Sequence, residues 1–336
     1  MPLNNNARLI VIGGPTASGK SALAVALARE FDGVVINADS MQVYDALPIL
    51  TARPGAAEQA LAPHRLYGVL AADDRCSAGR WQEMAAAECR AAWAAGRLPV
   101  AVGGTGLYLK ALMDGLSPIP DIPAAVRLET RRLFHSLGNR AFHGELARRD
   151  PLTAGRLAPG NSQRLMRAWE VLEATGRTLT DWQAEPPRNR LDAEFLAIAL
   201  LPPASQLYPA CDRRFLAMLG RGALDEVRDF TALGLDAALP VGKVLGLAAL
   251  SEHLGGAISL EQAVARAQQA TRNYAKRQRT WFRHQLAARM VADAQYSESF
   301  LPEIFAIIRQ FMLTGGGCES RLPASRAIPG VKDQTS

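Results

Sequence analysis

Cysteine is scarce: four in 336 residues, at Cys76, Cys89, Cys211 and Cys318. None forms a CxxC pair, which excludes a zinc clip and a disulfide frame and points to free thiols in a reducing cytosol. No apolar run approaches the ~20 residues of a membrane span. The first residues, Met1-Pro2-Leu3-Asn4-Asn5-Asn6, lack the charge, apolar run and cleavage site of a secretory leader. A cytoplasmic protein with no membrane partner is expected. What is present suits a large core, since 49% of residues are hydrophobic and the length suits one large α/β domain plus a smaller one. The formal charge of +6 is compatible with nucleic acid without proving it, so the placement of Lys and Arg decides.

The most informative stretch is Gly14, Pro15, Thr16, Ala17, Ser18, Gly19, Lys20 and Ser21, which fits the phosphate-loop pattern in full. An apolar run, Arg8-Leu9-Ile10-Val11-Ile12, precedes it and reads as a buried strand. Helix formers, Ala22 to Arg29, follow it. The motif thus lies between a strand and a helix start, as its mechanics require. Glycines let the backbone wrap a phosphate, and the helix N-terminus turns N–H groups and its positive end toward it. Lys20 adds a cation and Ser21 a hydroxyl suited to magnesium.

Further along, Val34-Val35-Ile36-Asn37-Ala38 reads as a second strand ending at Asp39-Ser40-Met41-Gln42. Leu98 to Val102 reads as a third, ending at Gly103-Gly104-Thr105-Gly106. An Ala-rich helix, about 79–95, lies between them. Such alternation predicts a parallel sheet whose ligands gather beyond the strands' C-terminal ends, so the phosphate loop, Asp39 and Thr105 should share one cleft. A fourth strand is expected over Glu194 to Leu200, too far on for one crossover. The proline-rich Ser117-Pro118-Ile119-Pro120-Asp121-Ile122-Pro123 opens an inserted helical segment, and Pro186-Pro187-Arg188-Asn189-Arg190 closes it. The fold expected is α/β: a P-loop NTPase-like parallel sheet core over 1–118 and 191–314, a mostly α-helical insertion domain over 119–190, and a disordered tail over 315–336.

Two helices carry patterned charge. Asn161-Ser162 can cap one running to Gly176, with Gln163, Arg164 and Arg167 on one face and Leu165, Ala168, Trp169 and Leu172 on the other. A solvated face and a nucleic-acid contact are both open there. A second helix begins near Ser259, with Gln262 placed for a capping box. Arg272, Lys276, Arg279 and Arg283 form its basic stripe, opposite Ala267, Tyr274 and Trp281. Like charges at this spacing repel, so an anion such as phosphate is expected to offset them. After the fourth strand, Arg213 and Arg214 are both candidates for a pyrophosphate clamp. From these residues alone, a kinase, a transferase releasing pyrophosphate and an NTP-driven switch all fit.

Five collinear motifs narrow the choice. Gly14 to Ser21, Ile36 to Tyr44, Val102 to Tyr108, Gln163-Arg164-Leu165-Met166-Arg167 and Ala275 to Arg283 together resemble the bacterial tRNA dimethylallyltransferase family. That resemblance spans most of the chain. It implies transfer of a dimethylallyl group from dimethylallyl diphosphate to N6 of adenosine 37 in tRNAs reading codons that begin with U. The phosphate loop then holds a diphosphate leaving group. The resemblance further implies Asp39 as general base, Thr105 beside amine and diphosphate, and Lys20 and Arg214 on the diphosphate, with magnesium at Ser21. Ser40, Met41, Gln42, Arg127, Gln163, Arg164, Leu165, Met166, Arg167, Lys276, Arg277, Arg279 and Arg283 would contact the anticodon stem-loop of tRNA, along with Asp39 and Thr105. A monomer is expected. An adenylate isopentenyltransferase, acting on free AMP or ATP, shares the core chemistry but needs no such basic surface.

The chain departs from the family pattern in two places. Val241-Gly242-Lys243-Val244 stands where Gly-Tyr-Arg or Gly-Tyr-Lys is frequent, and Leu47-Pro48-Ile49-Leu50-Thr51-Ala52-Arg53-Pro54 where Ile-Gly-Thr-Ala-Lys-Pro is commoner.

Overall fold

The computed structural model describes residues 7–236 and 239–314 and the backbone of Arg326–Ala327. Two compact units emerge, one of Met1–Met113 with Leu191–Ser336, the other of Asp114–Arg190.

The first unit is built on seven parallel strands: β1 (Arg8–Gly13), β2 (Gly33–Asn37), β3 (His64–Arg65), β4 (Leu98–Gly103), β5 (Glu194–Leu200), β6 (Met290–Ala292) and β7 (Arg326–Ala327). Their order is β3-β2-β4-β1-β5-β6-β7. Strands β1, β2 and β4 are buried along their whole length. That explains their continuous Val, Ile and Leu runs in place of an alternating pattern. Successive side chains still point to opposite faces. Leu9 and Val11 pack into one core with Trp81 and Phe282, while Ile10 and Ile12 join Leu23, Leu27, Ile304 and Ile308 in the other. Helices α1 (Lys20–Glu30) and α2 (Ala78–Ala94) cover the early strands, and Ser77 caps α2 by accepting from the Arg80 N–H at 3.1 Å.

The register sets the site. Ile12 lies beside Val102, and Val102 beside Asn37, so the C-terminal ends of three adjacent strands finish level. Gly103 is required there: a Cβ on it would stand 2.0 Å from the Ala38 carbonyl oxygen.

The second unit holds α3 (Ala124–Arg149) and α4 (Ser162–Thr175) around Phe142, Leu146, Ala154, Leu165 and Ala168. Helix α3 is two helices joined at Gly138, whose φ of 71° breaks the turn. Helix α4 ends on a left-handed Gly176, φ 68°. At its start the Asn161 side chain makes no capping bond, because its place in the chain is right but its geometry is not.

The first unit also holds α5 (Ala204–Gly220), α6 (Leu260–Gln285) and α7 (Leu301–Leu313) among its helices. The capping box of α6 is made in both directions: Ser259 Oγ accepts from the Gln262 N–H and Gln262 Oε1 from the Ser259 N–H. Of the tail expected to be disordered, Arg326–Ala327 instead pair with β6, whose open edge offers backbone hydrogen bonds. The rest of it, including Cys318, lies outside the described residues. The Val241–Val244 segment forms part of a short 3-10 turn, with Val241 and Val244 buried in the core.

Candidate active site

The loop from Gly14 to Gly19 joins β1 to α1, and Gly19 turns it with φ of 88°. Lys20 Nζ reaches back to the Pro15 carbonyl oxygen at 3.3 Å. Burial pushes its ammonium down to about 8; Asp39 opposes that fall and Arg214 adds to it. From α5, Arg214 donates to Thr16 Oγ1, whereas Arg213 points to solvent. Burial also lowers the pKa of Arg214, with Cys211 and Asp39 resisting. Two cations thus face one loop, a cost that a bound anion offsets. Ser18 Oγ, fully buried beneath the loop, has no partner among the described residues.

The end of β2 is built by Asn37. Its buried side chain accepts from the Asp39 N–H at 2.8 Å and donates to the carbonyls of Asp39 and Leu66 at 3.1 and 2.9 Å. Asp39 Oδ1 then accepts from the Met41 N–H at 2.9 Å. Thr105, past the end of β4, accepts from the Ser40 N–H at 2.9 Å and donates to Ser40 Oγ at 3.2 Å. These bonds hold a carboxylate and a hydroxyl in fixed orientations, which is what proton transfer needs. A cleft of about 330 Å³ is lined by Lys20, Ser21, Asp39, Gln42, Tyr67 and Arg214 among others. Burial raises the Tyr67 phenol well above its usual range, and Asp39 and Glu58 add to the rise. It is a neutral hydroxyl at the cleft wall.

Sequence reasoning missed several residues here. Gln278 on α6 accepts from the Thr16 N–H at 2.9 Å and donates to the Gly104 carbonyl at 2.8 Å. The Thr16 N–H is therefore taken by a side chain of α6. Gln295 donates to the Ala17 carbonyl at 2.6 Å, and the Tyr296 N–H to that of Ser18 at 3.2 Å. Gln278 was legible as a polar residue on the face of α6 carrying Ala263, Ala267, Thr271, Ala275 and Phe282, all buried. Gln295 and Tyr296 carried no such signal.

The basic stripe of α6 divides. Lys276, Arg277 and Arg283 are exposed, and Arg279 is half-buried with its Nε unpartnered among the described residues. Arg272 pairs with Asp212 at 2.8 Å and Arg283 approaches Asp293 at 3.9 Å. The offset expected from phosphates is thus supplied in part by carboxylates of neighbouring segments, which spacing along one helix does not reveal. Gln42 donates to the carbonyls of Thr51 and Ala52 at 2.9 and 3.0 Å, so its amide holds the 47–54 segment.

In the second unit Gln163 and Arg164 are exposed, and Arg127, Met166 and Arg167 are half-buried. Burial lowers the pKa of Arg167, and Glu170 opposes this. Leu165, expected among the contact residues, is fully buried in this unit's core and corrects that expectation: an apolar side chain packed against Phe142 and Leu146 has no surface to offer RNA.

A parallel α/β sheet with a phosphate loop, a carboxylate and a hydroxyl at three adjacent strand ends defines a P-loop-like phosphate-binding core. The family model described as IPP transferase matches residues 42–285, and the chain belongs to that family. A tRNA dimethylallyltransferase of Paramagnetospirillum magneticum is 60% identical over 305 residues, covering 91% of this chain and 97% of that protein. One from Rhodospirillum centenum is 57% identical, covering 83% and 90%. Among solved structures, a eukaryotic dimethylallyltransferase acting on tRNA superposes with a TM-score of 0.78 at 26% identity, over 94% of this chain and 82% of that one. The tRNA isopentenylpyrophosphate transferase of Bacillus halodurans gives 0.66 at 29% identity, over 91% and 97%.

Proposed function

We propose that the protein transfers the dimethylallyl group of dimethylallyl diphosphate to N6 of an adenosine in tRNA, namely adenosine 37 of tRNAs reading codons that begin with U. The observation that carries this is that Asp39 and the phosphate loop line one cleft, while Thr105, which does not line it, is bonded to Ser40 next to Asp39. The relatives' names support tRNA as acceptor over free AMP, and the transfer reading leaves no role for NTP hydrolysis.

An exocyclic adenine amine is a weak nucleophile, since its lone pair is delocalised into the ring. As N6 forms its bond to the allylic carbon, the C–O bond to diphosphate breaks, and Asp39 takes the N6 proton. To Thr105, bonded to Ser40, we assign the hold on the amine. Lys20 and Arg214 stabilise the charge gathering on the leaving diphosphate. Magnesium would be held by the exposed Ser21 hydroxyl at the start of α1, together with oxygens of the diphosphate. When bound, it neutralises charge on the leaving group. The target base must leave its stack to enter the cleft. Lys276, Arg277, Arg279 and Arg283, with Arg127, Gln163, Arg164 and Arg167, are the residues we assign to the anticodon stem-loop. No helix among the described residues is long and apolar enough to cross a membrane. As part of the same proposal, the enzyme acts as a monomer in the cytoplasm, where its tRNA acceptor is found.

The test is transfer of labelled dimethylallyl diphosphate to unmodified tRNA and to AMP in parallel. Label on tRNA alone supports the proposal. Label on AMP contradicts it.

A further inference from the structure

The loop after β1 and the loop after β4 are tied together by a side chain that belongs to neither. Gln278, on the inner face of α6, spends its oxygen on the Thr16 N–H and its nitrogen on the Gly104 carbonyl. It is 5% exposed, and each end of its amide holds a backbone group of one loop. Each tie sits next to a group of the proposed reaction. Thr16 receives Arg214 on its hydroxyl, and Gly104 precedes Thr105. The amide therefore spans the leaving-group side and the acceptor side of the cleft.

The spacing has no slack. A Cβ on Gly104 would stand 2.2 Å from Gln278 Nε2, and one on Gly106 2.2 Å from the Trp281 ring. Helix α6 is thus seated directly on the glycines of the β4 loop. One turn before Gln278, Tyr274 lies beside both Thr105 and Gln278.

We propose that Gln278 is a positioning residue for the transfer, holding the phosphate loop and the Thr105 hydroxyl at the separation at which donor and acceptor meet. This rests on the transferase reading above. Gln278 touches no reacting atom. It acts through Thr16 and Gly104, so its loss should slow turnover without weakening the hold on tRNA.

Two substitutions test it. Gln278→Met keeps the volume and removes both bonds, while Gln278→Glu keeps the acceptor toward Thr16 and loses the donor toward Gly104. For each we would measure steady-state transfer to unmodified tRNA, tRNA Kd and thermal unfolding. The Met variant should lose about 100-fold in kcat with tRNA Kd within about twofold of wild type, and the Glu variant should fall between. A kcat within about threefold of wild type in a folded Met variant overturns the proposal, as does a loss explained wholly by weaker tRNA binding. Should the Met variant fail to fold, the Glu variant decides: reduced kcat with intact tRNA binding supports positioning, and full turnover refutes it. Wild-type protein that transfers nothing to tRNA would instead fault the transferase reading.

Discussion

Lys20 is held in a state that costs the protein stability. Its ordinary pKa of 10.5 falls to about 8 in the fold, so between those values the unfolded chain binds more protons and stability rises with pH. Below about 8 the folded state carries a desolvated ammonium beside Arg214, and that penalty is present in full at neutral pH. Lys20→Met is therefore expected to raise the melting temperature at pH 7 by a few degrees while abolishing diphosphate binding. Calorimetric melts with and without diphosphate check both halves. An equal or lower melting point would show that the burial penalty is not felt. Asp39 has a different signature. Asp39→Ala should cut turnover by about 100- to 10,000-fold, the span of a lost general base, with tRNA affinity nearly unchanged. Retained turnover would remove Asp39 from the base role.

Among the elements, the phosphate loop, β1, β2, β4 and β5 were all legible. Their apolar runs are short, β-branched and punctuated by glycine, and β5 falls on the residues its pattern predicts. What the pattern could not hold was side-chain traffic between distant elements: Gln278 to Thr16, Gln295 to Ala17, and Asp212 to Arg272 each join segments far apart in sequence. Periodicity reports which face of a helix is polar. It does not report whether that polarity meets solvent, a carboxylate or a catalytic loop. Leu165 entered the contact residues through the resemblance alone: its spacing already put it with Ala168, Trp169 and Leu172 on the apolar face, and it is buried.

Two predictions belong to this scale. Gly103→Ala would force a Cβ against the Ala38 carbonyl. It should destabilise by about 1–3 kcal/mol, read by denaturant melts, and an unchanged midpoint would mean the β2–β4 approach is looser than described. On α6, Arg279→Ala should weaken tRNA binding and reduce its salt slope by about one. Arg272→Ala should leave that slope alone, because Asp212 already neutralises Arg272. Equal slopes for wild type and Arg279→Ala would refute the phosphate contact.

At the scale of the whole molecule, the residues proposed for the chemistry lie in one unit, while those proposed for tRNA contact are spread over both. Asp39, Thr105, Lys20 and Arg214 all belong to the first unit, as does the basic helix α6. Arg127, Gln163, Arg164 and Arg167 belong to Asp114–Arg190. A mononucleotide acceptor would need the first set alone. The central claim is therefore tested most directly by deciding between acceptors. The measurement is transfer of radiolabelled dimethylallyl diphosphate, with magnesium, to unmodified tRNA carrying adenosine at position 37, to the same tRNA carrying guanosine there, and to free AMP. The account predicts label on the first alone. Label on AMP, or ATP hydrolysis with no label on any acceptor, would contradict it.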